Sequence, residues 1–186
     1  TLRPLDSGNL VEEMRAIARV FNLGWAENPG ASELSEAGIR FLIQEFRPIL
    51  DPSLAFLALR DREVVGFSLA LPDVNPLLRF ISHFPSWLQL PAALGHRLMR
   101  PPRDLRLLAL GLLPGARGNG LTAALVTSTV EAAARRGYRR AELSWILEEN
   151  LDARRYAEAL GATVSRRYRL YSRDLRPVAG KLPSEP

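Results

Sequence analysis

Leu112-Leu113-Pro114-Gly115-Ala116-Arg117-Gly118-Asn119-Gly120-Leu121-Thr122 joins a mostly apolar run, Leu105 to Leu113, to a helix-forming segment, Leu121 to Arg136. A strand that passes through a tight glycine-bearing turn into a helix N-terminus aims several backbone N–H groups at one point. The helix dipole favours an anion at that point. Glycine lets the backbone approach a phosphate closely, and Arg117 can add a charge-assisted bond. The turn lacks the Gly-x-Gly-x-x-Gly spacing of a dinucleotide fold and the Gly-Lys-Ser/Thr of a P-loop. The expectation is a phosphate-bearing cofactor held in some other way.

The pattern Leu112-x-Pro114-x-x-Arg117-Gly118-x-Gly120-x-Thr122 resembles motif A of the GNAT superfamily of acetyl-CoA-dependent N-acyltransferases. Arg117, Gly120 and Thr122 hold its three defining places, with Thr122 a slight departure from the usual small residue. A second pattern runs from Asn150 through Ala153, Tyr156, Ala157 and Leu160 to Gly161, and resembles the helix that follows the fifth strand of that superfamily. The separation also agrees: helix 121–136, Gly137, strand 139–147, then Asn150. Three phrases look like a bacterial subgroup of poorly defined substrate. They are Asn22-x-x-Trp25-x-x-Asn28, Ala70-Leu71-Pro72-Asp73-x-Asn75, and Glu142-Leu143-Ser144-Trp145-Ile146-Leu147-Glu148.

The resemblance implies acetyl-CoA, or another acyl-CoA, lying where strands 105–113 and 139–147 splay apart. Leu112, Arg117, Gly118, Asn119, Gly120, Leu121, Thr122 and Asn150 would bind it. A backbone N–H near Leu112 would act as an oxyanion donor to the thioester. An amine acceptor, small molecule or peptide, would meet Trp25, Asn28, Asp73, Asn75 and Trp145. Proton-transfer groups do not carry over. Many relatives place a Tyr seven residues after the Asn, where this chain has Ala157, and some place a Glu five before it, where this chain has Trp145. Tyr156 lies about 100° away around the helix. Glu142 and Ser144 face away from that side of a regular strand. Catalysis would then use water-mediated transfer or groups from variable elements such as Trp25, Glu27, Asn28, Asp73 and Asn75. The alternative is a non-catalytic acyl-CoA-binding sensor or interaction domain.

Length and composition set outer limits. The 186 residues suffice for one domain with a real core, and 47% apolar against 24% charged is globular rather than disordered. No cysteine is present, so disulfides and Cys-type zinc sites are excluded, and His83 and His96 lack metal-ligand spacing; no metal is expected. The net charge of +5 comes mostly from arginine. No zinc-finger, recognition-helix or aromatic RNP pattern accompanies it, so no nucleic acid is expected. Without a basic-then-apolar leader or disulfides, cytoplasmic location is the default expectation, and the lack of Met at position 1 leaves a longer parent protein open. Homodimers are common in the superfamily, although nothing in this sequence marks an interface.

Along the chain, residues 1–5 suit a short strand, and Asn9 with Glu12 resembles a capping box for helix 9–23. The apolar face of that helix is Leu10, Met14, Ile17, Ala18 and Phe21. Ser32 or Ser35 can cap helix 33–47, with face Ile39, Leu42, Ile43 and Phe46. Segments 54–59 and 64–71 form a hairpin around Arg60-Asp61-Arg62-Glu63. Residues 163–172 alternate loosely as a last strand, and 176–186 read as a mobile tail after a single GNAT-like domain, 1–175. The fold class is α/β: a mixed, mostly antiparallel sheet flanked by helices on both faces, with a helical insertion between the third and fourth strands. That insertion, about 76–103, is apolar and basic, with Phe80, Phe84, Trp87, Leu88 and Leu90. It reads as a helical cap, as a lid over an acyl or acceptor pocket, or as a surface for weak contact with membrane or a partner.

Overall fold

A computed structural model describes residues 1–26, 32–118, 120–143, 146–169 and 171. The chain divides into two compact units, Thr1–Trp145 and Ile146–Pro186. The first contains a five-stranded sheet in sequence order: β1 (Leu2–Pro4), β2 (Ala55–Arg60), β3 (Glu63–Pro72), β4 (Asp104–Leu112) and β5 (Arg140–Leu143). All neighbours pair antiparallel except β4 and β5, which run parallel. Helices α1 (Leu10–Gly24) and α2 (Glu36–Phe46) precede β2. Helices α3 (Asn75–Ile81) and α4 (Ser86–Met99) fill the β3–β4 connection, and α5 (Leu121–Arg135) is the crossover from β4 to β5. The mixed, mostly antiparallel sheet with a helical insertion is the architecture the sequence indicated.

Alternation along the strands sorts side chains between two cores. Leu57, Phe67 and Leu69 bury against Ile17 and Val20 of α1 and Ile39 of α2. On the other face, Ala58 and Leu112 pack with Leu125 of α5, and Ala70 and Leu105 with Ala133. A run that is apolar on both faces, as in β4, is what helices on both sides require.

The start of α1 departs from the expected capping box. The side chain of Asn9 makes no cap bond. Instead a 3-10 turn, Ser7–Asn9, leads into the helix, and Asp6 caps it by accepting the Gly8 N–H at 2.9 Å. Glu12 pairs with Arg15, while buried Glu13 takes both terminal nitrogens of Arg3 at 2.7 Å and so ties α1 to β1. Ser35, not Ser32, caps α2 through the Gly38 N–H. The expected last strand is also revised: residues 163–169 carry no strand, and residues 170 and 172 lie outside the described residues. Of the expected strand 139–147, Arg140–Leu143 is strand and Ile146 and Leu147 are not, while residues 144 and 145 lie outside the described residues. The expected tail, 176–186, lies outside the described residues.

One buried polar pair joins α5 to the sheet. Thr129 donates its hydroxyl proton to the Leu125 carbonyl at 2.9 Å, so Ser68 must be the donor in the 2.8 Å Ser68–Thr129 bond. The two substitutions are therefore unequal. Thr129→Val strands the Ser68 hydroxyl and is expected to cost about 1–3 kcal/mol. Ser68→Ala leaves Thr129 satisfied and should cost clearly less. Adding Ser68→Ala to Thr129→Val should restore part of the loss, which denaturant titration of the three variants would measure.

Candidate cofactor and acceptor site

The site begins at the Leu112 end of β4. Among the described residues its pairing with β5 runs from Asp104↔Arg140 to Leu107↔Leu143, and residues 144 and 145 lie outside them. Pairing with β3 continues to Gly66↔Leu112. Residues 108–112 thus extend β4 past its ladder with β5 among the described residues. The N–H of Leu113 donates to the Val65 carbonyl at 2.9 Å. Backbone groups alternate in direction along an antiparallel ladder, so Leu110 and Leu112 turn their N–H and C=O to the edge of β4 that faces away from β3.

Beyond Leu112 the chain makes a 3-10 turn, Pro114–Ala116, then reaches Gly118 with φ +81° and Gly120 with φ +70°. Those left-handed conformations favour glycine. Gly120 is the N-cap of α5 and brings no side chain to it, and the first turn carries no acidic residue. The opening N–H groups of the helix have no intrahelical acceptor, and no carboxylate neutralises the positive end of its dipole. Arg117 donates to the Gly24 carbonyl at 2.7 Å, which leaves other donors of its guanidinium fork for an anion. Leu121 and Thr122 open the helix, and Asn119 lies outside the described residues.

The C-terminal end of α1 closes against the same edge. The Trp25 indole N–H reaches the Leu110 carbonyl at 3.3 Å, and its ring stacks on Phe21 with centroids 5.0 Å apart. Gly24 lies so close to β4 that an added Cβ would sit 2.7 Å from the Leu112 carbonyl oxygen. Asn22 clamps Leu34, accepting its N–H at 2.9 Å and donating to its carbonyl at 3.2 Å. Asn22 therefore holds the α1–α2 connection, while Trp25 borders the edge; Glu27 and Asn28 lie outside the described residues.

Asp73 and Asn75 stand elsewhere. Asp73 accepts from both the backbone and side-chain nitrogens of Asn75, an Asx turn that starts α3. Pro72 pairs with Leu105, the opposite end of β4 from Leu112. About seven residues of strand, roughly 23 Å, separate that end from Leu112. Glu142 faces its cross-strand partner Arg106 and pairs with it at 3.0 Å. Trp145 and Ser144 lie outside the described residues.

In the second unit, Asn150 caps α6 (Leu151–Ala159) by accepting the Ala153 N–H at 3.1 Å. Gly161, φ +79°, ends the helix, with Gly161 N–H to the Glu158 carbonyl and Ala162 N–H to that of Ala157. Both bonds form a Schellman motif, so the opening Asn and closing Gly are helix punctuation. Ala153, Tyr156 and Ala157 form one half-buried stripe, while Leu160 is exposed.

Sequence reasoning missed Gly24 and Leu110. A glycine at the end of an apolar-faced helix signals close approach only once the neighbour is known. A backbone carbonyl leaves no mark in the sequence. Among the described residues, no cluster of His, Asp or Glu is arranged to hold a metal ion, and no helix is long and apolar enough to cross a membrane.

A strand that leads through a glycine-bearing turn into a helix and on to a parallel neighbour, β4 to α5 to β5, agrees with the acyl-CoA-dependent transferase scaffold that the motif resemblance implied. A model of the acetyltransferase (GNAT) family matches residues 17–162. The chain belongs to that family. It is similar to the bacterial ceramide synthase of Caulobacter vibrioides (strain NA1000 / CB15N), 27% identical over 181 residues, 94% of this chain and 46% of that protein. It is also similar to protein YghO of Escherichia coli (strain K12), 26% identical over 182 residues, again 94% and 46%. The chain thus spans about half the length of the curated relatives it matches. Among solved structures, AAC(6')-Iy in complex with the bisubstrate analog CoA-S-monomethyl-acetylneamine aligns with TM-score 0.57 at 17% identity, covering 94% of this chain and 97% of that one. At that identity the likeness is one of fold.

Proposed function

We propose that this chain transfers an acyl group from an acyl-CoA to a primary amine, and that the amine is a long-chain one. The observation that carries the transfer is the strand–turn–helix connection, in which Leu112 leads through left-handed Gly118 and Gly120 into the N-terminus of α5. The pyrophosphate would rest on the N–H groups of 117–122, with Arg117 as counter-charge. The thioester carbonyl would face the Leu112 N–H. The neutral amine attacks the carbonyl carbon, a C–N bond forms, and the oxyanion collapses with loss of the C–S bond. The proton leaving nitrogen ends on the CoA sulfur, with water as its carrier, because Ala157 stands at the usual acid position. Holding the two reactants together can supply roughly 7–11 kcal/mol of the barrier. Trp25, beside the Leu110 carbonyl, would wall the acceptor side.

The long-chain acceptor is supported by the ceramide synthase similarity across 94% of this chain, since a ceramide is an N-acylated long-chain amino alcohol. Calorimetric titration with acetyl-CoA and a long-chain acyl-CoA tests the donor. Arg117→Ala is expected to weaken binding about tenfold, the loss of one charge-assisted bond of about 1.5 kcal/mol. Thiol release with sphinganine, dodecylamine and an aminoglycoside tests the acceptor, with sphinganine expected to be fastest. No acyl-CoA binding by folded protein would sink the proposal. Binding without turnover on any amine would favour the sensor reading.

A further inference from the structure

Helix α4 is turned inside out. Its inward positions, Leu88, Gln89, Ala92, Ala93 and His96, are half-buried. Its outward positions are Trp87, Leu90, Leu94 and Leu98, which are 77%, 71%, 57% and 84% exposed. Their spacing of three, four and four residues places them in one stripe. A helix packed on a domain in water normally has these faces the other way round. Rotation would not relieve the exposure, because the polar inward groups are engaged. Gln89 donates to the Phe84 carbonyl at 3.0 Å, and the His96 ring packs 4.7 Å from that of Phe80. Leu78 and Phe80 of α3 and Met99 at the end of α4 add exposed apolar surface.

Charge says what kind of surface fits this face. Residues 74–103 contain four arginines and no Asp or Glu, in a chain with 20 acidic residues elsewhere. Arg79, Arg100 and Arg103 are exposed and make no ion pair among the described residues. An apolar stripe with Trp and Leu, bordered by unpaired arginines and free of acids, matches a layer of anionic headgroups over acyl chains. A helix of 14 residues with Pro91 inside it is too short to span a bilayer, so it would lie in the interface plane.

We propose that the outward face of α4, with Arg79, Arg100 and Arg103 around it, docks this chain on an anionic lipid surface. The insertion leaves β3 after Pro72 and enters β4 at Asp104. The Arg117–Thr122 loop follows the other end of β4, about 26 Å along the strand. Docking at the insertion therefore leaves the anion-binding loop in water.

The test is co-sedimentation of the whole chain with vesicles of 70:30 phosphatidylcholine:phosphatidylglycerol, and of pure phosphatidylcholine, at 50 and 500 mM NaCl. The bound fraction is expected to be at least tenfold higher on the anionic vesicles at 50 mM and to fall at 500 mM. Leu90→Glu with Leu94→Glu should abolish binding, and Arg79→Glu with Arg100→Glu should abolish the preference for phosphatidylglycerol. Both pairs are exposed, so circular dichroism should be unchanged. Quenching by brominated lipid should disappear in Trp87→Phe. No binding to anionic vesicles, equal binding to both kinds, or binding indifferent to Leu90→Glu with Leu94→Glu would overturn the proposal. So would a soluble dimer that this pair dissociates without any vesicle binding, which would assign the face to a second copy. Acetyl-CoA affinity of the same variants is expected to be unchanged, so failure here and failure of the acyl-transfer reading are separate results.

Discussion

Titrated with acetyl-CoA, a Gly120→Val protein is expected to bind about 100-fold more weakly than the unaltered chain while remaining folded. Gly120 sits at φ +70°, and an added Cβ would meet nothing within 4 Å. The substitution thus creates no clash in the free protein. Its cost is conformational, about 1–2 kcal/mol for an L side chain in the left-handed region and more when β-branched. Valine relieves that strain by turning the peptide, and the turn takes N–H groups away from the common point. Losing two charge-assisted bonds at about 1.5 kcal/mol each corresponds to about 100-fold in affinity. Gly115→Ala is the control. That glycine lies in the same connection, has open space around it and lacks a positive φ, so binding should be unchanged. If Gly120→Val binds within threefold of the unaltered chain, the loop does not hold the phosphates.

Gly111→Val is expected to be the most destabilising single change near the site, by about 3 kcal/mol. Gly111 pairs with Phe67 across β3 and β4, and a Cβ there would lie 2.6 Å from the Phe67 Cε1 atom and 3.0 Å from Cζ. Phe67 is 1% exposed and packed against α1, so its ring has nowhere to go. For a chain of this length the melting temperature should fall by about 6–12 °C. The coupling is testable. In a Phe67→Leu background, Gly111→Ala should cost clearly less than in the unaltered chain, because the shorter side chain opens the space. Additive losses would mean that the close contact is not the cause. Leu112 follows Gly111 directly, so Gly111→Ala should also slow acyl transfer more than it weakens acyl-CoA binding.

Much of the fold was legible because its signals are local. The apolar spacing in 10–21 and 39–46 recurs within a turn or two of helix, and the structure buries Met14, Ile17, Ala18 and Ile39 accordingly. Arg135-Arg136-Gly137 ends α5 with Gly137 at φ +83°. The mostly apolar run 105–113 falls on β4, which packs on both faces. The cap of α1 was misassigned for an equally local reason. Asn9 and Glu12 have the right spacing, but Asp6 reaches the preceding turn first, and nothing in the spacing ranks one carboxylate or amide above another.

The site was legible only in part. Arg117, Gly118, Gly120 and Leu112 are contiguous or nearly so, and their geometry follows from one strand–turn–helix connection. Trp25 and Leu110 are 85 residues apart, Arg117 and Gly24 are 93 apart, and both contacts depend on where α1 crosses the sheet. Asp73 and Asn75 read in sequence as acceptor groups together with Trp25, yet the register Pro72↔Leu105 carries them to the end of β4 away from Leu112.

The sequence by itself determined the family, most of the elements and the glycine-bearing turn before α5, because each is specified by residues within a few positions of one another. The tertiary structure alone decided that the end of α1 borders the Leu112 end of β4, and that Asp73 and Asn75 do not. It also decided that α4 presents Trp87, Leu90, Leu94 and Leu98 to solvent. Periodicity marks a helix as amphipathic but not which way it is rolled. That is set by its neighbours, here the Phe84 carbonyl and the Phe80 ring, which hold Gln89 and His96 inward.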